Sequence, residues 1–298
     1  MTRRGTYSIV AADPETLELG VAVQSHWFSV GSAVPFAQAG VGAVAVQSVP
    51  DPAAGAAILA ALAEGAEAPE ALRASVADGG LDAAAMRQTA VVDLHGRAAA
   101  WTGEGCIAHA GDVQGTGYSA QANMMLSPGV PEAMAAAFER AEGPLPERLM
   151  AALDAAEAAG GDARGKQSAA LLVVPGDAAA PAHAFSVDLR VEDHPDPLAE
   201  LRRLLVLHRA YELAGEADEL VARGRHDEAA RLYERAAQLA PDSDELLFWA
   251  GLARGAGDGL ALVREAIARN PRWEVLLERL GPDVAPTAAD VRAALARG

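Results

Sequence analysis

The chain has 298 residues, a formal net charge of −17 and a single cysteine, Cys106. The acidic balance excludes a general affinity for nucleic acid or anionic membrane, since both need a basic surface. One cysteine excludes an intramolecular disulfide and fits a reducing compartment. Hydrophobic residues make up 51% of the chain and aromatics only 4%, so its core packs through small side chains.

The N-terminal MTRRGTYSIVAADPE has no apolar targeting region followed by a small-residue cleavage site. No apolar run reaches the roughly 18 residues of a membrane span. A cytoplasmic protein is expected.

In chain order, TYSIVAAD and LGVAVQS read as a hairpin over 6–25, and VGAVAVQSV (41–49) as a third strand. The pentapeptide VAVQS occurs twice, at 21–25 and 44–48. Alanine and leucine at helical spacing over 52–78 predict two helices broken at Pro69. QTAVVDLHGRAAAWTG (88–103) predicts a hairpin turning at Asp93–Gly96, and YSAQANMML (118–126) a strand leading into a helix. Two helices are expected over 131–161, the second ending at Gly160-Gly161. SAALLVV (168–174) and AHAFSVDLRVED (182–193) complete the strands. Paired helices between runs of antiparallel strands predict a layered α+β domain over 1–208.

From Asp193 onward two prolines open a helix, and no further strand signal follows. Ala229, Tyr233, Ala236 and Pro241, with Ala266 and Pro271 repeating the last spacing, resemble a tetratricopeptide (TPR) repeat. A small all-α, TPR-like domain is therefore expected over 209–298, offering a surface to a protein partner. The alanine-rich helix faces suit a homo-oligomer.

The common catalytic and nucleotide-binding motifs are absent. Cys106 and His109 stand three apart, which a small thiol in a turn explains. The seven histidines are scattered without metal-ligand spacing, so neither a metal nor a cofactor is expected. Thr6 is different. It follows Gly5 and opens the first strand. Were the chain cut before it, Thr6 would carry a hydroxyl and an α-amine on one residue. An α-amine titrates near pH 8 and can serve as base to that hydroxyl.

TYSIVAADPETLELGVAVQSHWFSVGSAVP, VGAVAVQS, GYSAQANMM, GGDARGKQSAALLVV and VDLRVEDHPDPLAELRRLL together resemble a bacterial family, domain of unknown function 1028, over about residues 6–208. That family is similar in fold to the N-terminal-nucleophile (Ntn) hydrolases. The resemblance implies a four-layer αββα sandwich of two antiparallel sheets between helix layers. The layout also resembles proteasome β-subunits, where a threonine nucleophile opens the first strand. By that resemblance Thr6 is the nucleophile, with Asn123, Asp162 and Ser168 as further catalytic residues. Ser25, His26, Ser48, Arg164 and Lys166 line the substrate. The oxyanion falls to Asn123 or a backbone N–H near Ser48, while Asp162 and Arg164 hold the amine or a polar substrate group. Lys166 tunes the amine or pairs with Asp162. Ser25-His26-Trp27 stands where proteasome-like enzymes carry a lysine. The implied function is an Ntn-type amidohydrolase, cleaving a small amide or peptide bond once residues 1–5 are removed. The alternative is a catalytically silent Ntn-fold module that binds a small ligand, with the TPR-like tail recruiting a protein.

Overall fold

TYSIVAA forms the first strand, β1 (Thr6–Ala12), and all seven residues are buried. Its side chains alternate. Ser8 and Val10 face a second sheet, while Tyr7 reaches a helix on the opposite side. The structure, a computed structural model, describes residues 5–297.

The remaining strands are β2 (Leu19–Ser25), β3 (Pro35–Gln38), β4 (Gly42–Gln47), β5 (Gln88–Asp93), β6 (Ala98–Thr102), β7 (Gly111–Gly115), β8 (Tyr118–Asn123), β9 (Ser168–Val174) and β10 (Val187–Val191). Helices α1 (Pro52–Ala63), α2 (Ala68–Asp78) and α3 (Leu81–Ala85) lie between β4 and β5. Helices α4 (Val130–Arg140) and α5 (Leu145–Ala158) lie between β8 and β9.

The strands form two antiparallel sheets, β10-β9-β2-β1-β8-β7 and β3-β4-β5-β6. Their inner faces meet in a core of small residues that includes Val10, Val21, Val23, Ala45, Ala90 and Leu172. Helices α4 and α5 cover the outer face of the larger sheet, and α1 and α2 that of the smaller. The layers therefore run αββα, the order that the resemblance implies. Packing is close: a Cβ on Gly20 would fall 2.6 Å from Leu149 Cδ1.

The two helices expected over 52–78 are α1 and α2, and Pro69 sits in the first turn of α2, where proline fits. Other local expectations are corrected. The 118–126 segment ends as a strand at Asn123, and α4 begins only at Val130. The final strand is Val187–Val191, shorter than 182–193. The four-residue β3 and the glycine-flanked β7 were not expected, because neither carries a readable alternation.

Asp93 builds the turn of the β5–β6 hairpin. Its Oδ1 accepts from His95 N (2.9 Å) and Arg97 N (3.1 Å), and its Oδ2 from Ala68 N at the start of α2 (3.1 Å). Buried acceptors leave those amides orphaned when removed. Asp93→Ala is expected to cost about 2 kcal/mol, read as a lower urea midpoint with unchanged slope.

The chain divides between Arg202 and Arg203, ahead of the expected boundary at 208. Helix α6 (Pro197–Ala222) is followed by α7 (His226–Leu239), α8 (Asp244–Arg254), α9 (Leu260–Arg269), α10 (Arg272–Leu277) and α11 (Ala288–Leu295). Ala229, Tyr233 and Ala236 form the buried stripe of the single helix α7. Phe248 stacks on Trp273 with centroids 4.8 Å apart. Among the described residues, no helix is long and apolar enough to cross a membrane.

Candidate active site

The first residue of β1 sits at one end of the larger sheet, between Ser25 at the end of β2 and Asn123 at the end of β8. Thr6 is wholly buried. Its Oγ1 lies 2.6 Å from the carbonyl oxygen of Gly5 and 3.3 Å from Ser25 Oγ. That Gly5 oxygen also accepts from Ser25 Oγ at 2.5 Å and from Arg164 Nη2 at 2.9 Å. Three side-chain donors thus converge on the carbonyl of the Gly5–Thr6 peptide bond.

Arg164 is oriented by Asp162, whose side chain is fully buried. The guanidinium meets it with Nε (3.1 Å to Oδ1) and Nη2 (2.8 Å to Oδ2). The backbone N–H of Arg164 donates to Oδ1 (2.9 Å) and that of His26 to Oδ2 (3.2 Å). The turn itself is tied to the end of β8. Leu126 N donates to Gly161 O and Ala163 N to Met124 O, both at 3.0 Å. Gly160 and Gly161 have φ of 124° and 58°, a region glycine enters without a Cβ clash. Met124 and Ser48, neither a glycine, also take positive φ, 60° and 67°. Such strain tends to collect at functional sites.

A buried polar network backs Thr6 on the inner face. Gln88 Nε2 donates to the carbonyls of Gly111 (3.1 Å) and Ala122 (3.0 Å), and these can only accept. Its Oε1 therefore faces inward and takes Gln47 Nε2 (2.8 Å) and Asn123 Nδ2 (3.0 Å). Gln47 Nε2 also reaches the Thr6 carbonyl at 3.2 Å, and Asn123 Nδ2 stands 3.5 Å from it. Ser8 Oγ donates to Gln47 Oε1 at 2.7 Å, and Gln121 Nε2 to Ser8 Oγ at 3.2 Å. Gln88→Ala would strand two buried amide donors, a cost of about 3 kcal/mol. It is expected to lower Tm clearly more than an exposed glutamine-to-alanine change such as Gln238→Ala.

The sequence-predicted residues divide. Thr6, Ser25, Asp162 and Arg164 are brought together around Gly5. Asn123 stands beside Thr6, but its amide nitrogen is spent on Gln88 and the Thr6 carbonyl. Among the described residues, the buried atom it leaves unpartnered is an acceptor, Oδ1. An acceptor cannot stabilise an oxyanion. Ser168 Oγ donates to Trp27 O and accepts from Val30 N at 3.0 Å, fixing the loop after β2. Lys166 pairs with Asp196 at 3.0 Å, while Arg164 takes Asp162. That hydrogen bond holds the exposed Asp196 carboxyl below its usual range. The His26 ring nitrogen Nδ1 stands 3.4 Å from Lys166 O. Ser48 is buried, and its hydroxyl has no partner among the described residues.

Gln47, Gln88 and Gln121 were missed. Their signal was present, since a polar side chain within a buried apolar strand must find a partner. Among the described residues no group of three or more His, Cys, Asp or Glu side chains could hold a metal ion.

No curated protein matches the chain. A solved structure from Silicibacter pomeroyi, a protein of the DUF1028 family, is 33% identical, with a TM-score of 0.61 over 67% of this chain and 88% of that one. Anbu, an ancestral β-subunit from Yersinia bercovieri, is a fainter likeness: 14% identity and a TM-score of 0.34 over 67% of this chain and 92% of that one. The model of the family described as "Family of unknown function (DUF1028)" matches residues 6–201, and the chain belongs to that family.

Proposed function

We propose that the chain is a self-activating amidohydrolase with Thr6 as its nucleophile. The observation that carries this reading is the crowding of Thr6 Oγ1, Ser25 Oγ and Arg164 Nη2 onto one oxygen, that of Gly5. A solvated turn has no reason to spend a buried hydroxyl and a guanidinium on one strand-entry carbonyl.

In the first step Thr6 Oγ1 adds to the Gly5 carbonyl carbon. Arg164 and Ser25 bind the negative charge that develops on its oxygen, the work of an oxyanion hole. The carbon–nitrogen bond breaks, and the hydroxyl proton ends on the nitrogen. An ester of Gly5 on Thr6 and a free α-amine result. Water then hydrolyses the ester, releasing the preceding segment as a carboxylic acid.

In the second reaction the α-amine takes the proton of Oγ1 as it attacks a substrate amide. The amine product leaves with that proton, and water resolves the acyl-enzyme. In this reading Asp162, with the Asn123 Oδ1 acceptor, holds the α-ammonium between turnovers.

Intact mass of the purified chain tests this. The expected result is loss of residues 1–5, with Thr6 as the new first residue. A chain that stays uncut after prolonged incubation at neutral pH would sink the reading.

A further inference from the structure

Gly5 has no room for a side chain. A Cβ built there would lie 2.7 and 2.8 Å from the two carboxylate oxygens of Asp162 and 2.9 Å from its carboxyl carbon. The carboxylate cannot step aside cheaply. It is buried, and four N–H groups hold it: His26 N, Arg164 N, Arg164 Nε and Arg164 Nη2. Moving it would also swing Arg164 off the Gly5 oxygen. The acid that orients the oxyanion donor thus also walls off the α-carbon of the acyl group.

Self-cleavage and substrate turnover share one intermediate type, an acyl ester on Thr6 Oγ1. The self-cleavage ester is a glycyl ester. Its hydrolysis is chemically the second half of cleaving a glycyl amide. An acyl group delivered by a substrate must put its carbonyl oxygen on the same Arg164 and Ser25 donors. Its α-carbon then falls where Gly5 Cα stood, against Asp162.

We propose that the mature site is selective for amides whose scissile carbonyl belongs to glycine or to an equally unbranched acyl group. This rests on the reading of Thr6 above and adds the substrate class to it.

The test uses the wild-type chain after loss of residues 1–5, with acetyl-glycyl, acetyl-L-alanyl and acetyl-L-leucyl aminomethylcoumarin amides as probes. Forcing one extra carbon into fixed surroundings predicts kcat/KM lower by roughly 10- to 100-fold for the alanyl than the glycyl amide. A parallel measurement needs no added substrate: Gly5→Ala should slow loss of residues 1–5 by a similar factor with an unchanged circular dichroism spectrum. Equal rates on glycyl and alanyl amides, or wild-type processing of folded Gly5→Ala, would overturn the selectivity and leave Thr6 as nucleophile. A wild-type chain that keeps residues 1–5 and hydrolyses none of the three probes would overturn both.

Discussion

Thr6→Ala and Thr6→Val are both expected to stop removal of residues 1–5 altogether, leaving a stable, full-length chain with no amidase activity. The reason is that the hydroxyl has no substitute. Ser25 Oγ lies 3.3 Å from it and points its own proton at the Gly5 oxygen. Valine separates chemistry from fold, because it keeps the β-branched shape at a wholly buried strand position. If Thr6→Val folds and still loses the leader, the nucleophile is another group or the cut is made by a contaminating protease. Thr6→Ser should still process, more slowly, since serine lacks the methyl group that holds the hydroxyl in one rotamer. In mature wild-type protein the α-amine must be neutral to act as base. Activity should therefore fall as pH drops through the amine's pKa, near 8 when unperturbed. A flat rate between pH 6 and 9 would argue against that role.

The core strands were readable because they are covered on both faces, while the four-layer order came from the family resemblance. Such strands appear as near-continuous apolar runs, and TYSIVAA, LGVAVQS and SAALLVV are buried throughout. Elements without that coverage were harder. The β7 run GDVQG is half-exposed and glycine-bounded, and nothing in it marks a strand except its pairing with β8. At the site, the family resemblance was enough to place Thr6 beside the 160–168 turn. It was not enough to assign partners. Arg164 and Lys166 are two residues apart in one turn, yet one meets Asp162 and the other Asp196. Gln88 meets Gln47 and Asn123 from positions 41 and 35 residues away. Such partnerships arise from sheet packing, and no local pattern encodes them. Polar residues at inward strand positions were the readable trace: Ser8 in TYSIVAA, and Ser119, Gln121 and Asn123 alternating in YSAQAN.

Arg164→Ala should slow self-cleavage by roughly 10²- to 10³-fold, the usual cost of losing one oxyanion donor. It has a second consequence. Asp162 would keep only the backbone donors at His26 and position 164, leaving a buried carboxylate without its countercharge, a loss of about 3 kcal/mol. The two effects can be separated. Arg164→Ala/Asp162→Asn removes the unpaired charge and should recover much of the stability lost in Arg164→Ala, while cleavage stays slow. A structural role alone predicts the opposite, namely that cleavage recovers with stability. Arg164→Lys sharpens the distinction. Lysine carries the charge but not the fork that binds both Asp162 oxygens and the Gly5 carbonyl together. If charge alone polarises the carbonyl, lysine should restore processing. If the fixed geometry of the guanidinium matters, as the paired contacts of Nη2 to Asp162 and Gly5 imply, Arg164→Lys will process almost as slowly as alanine.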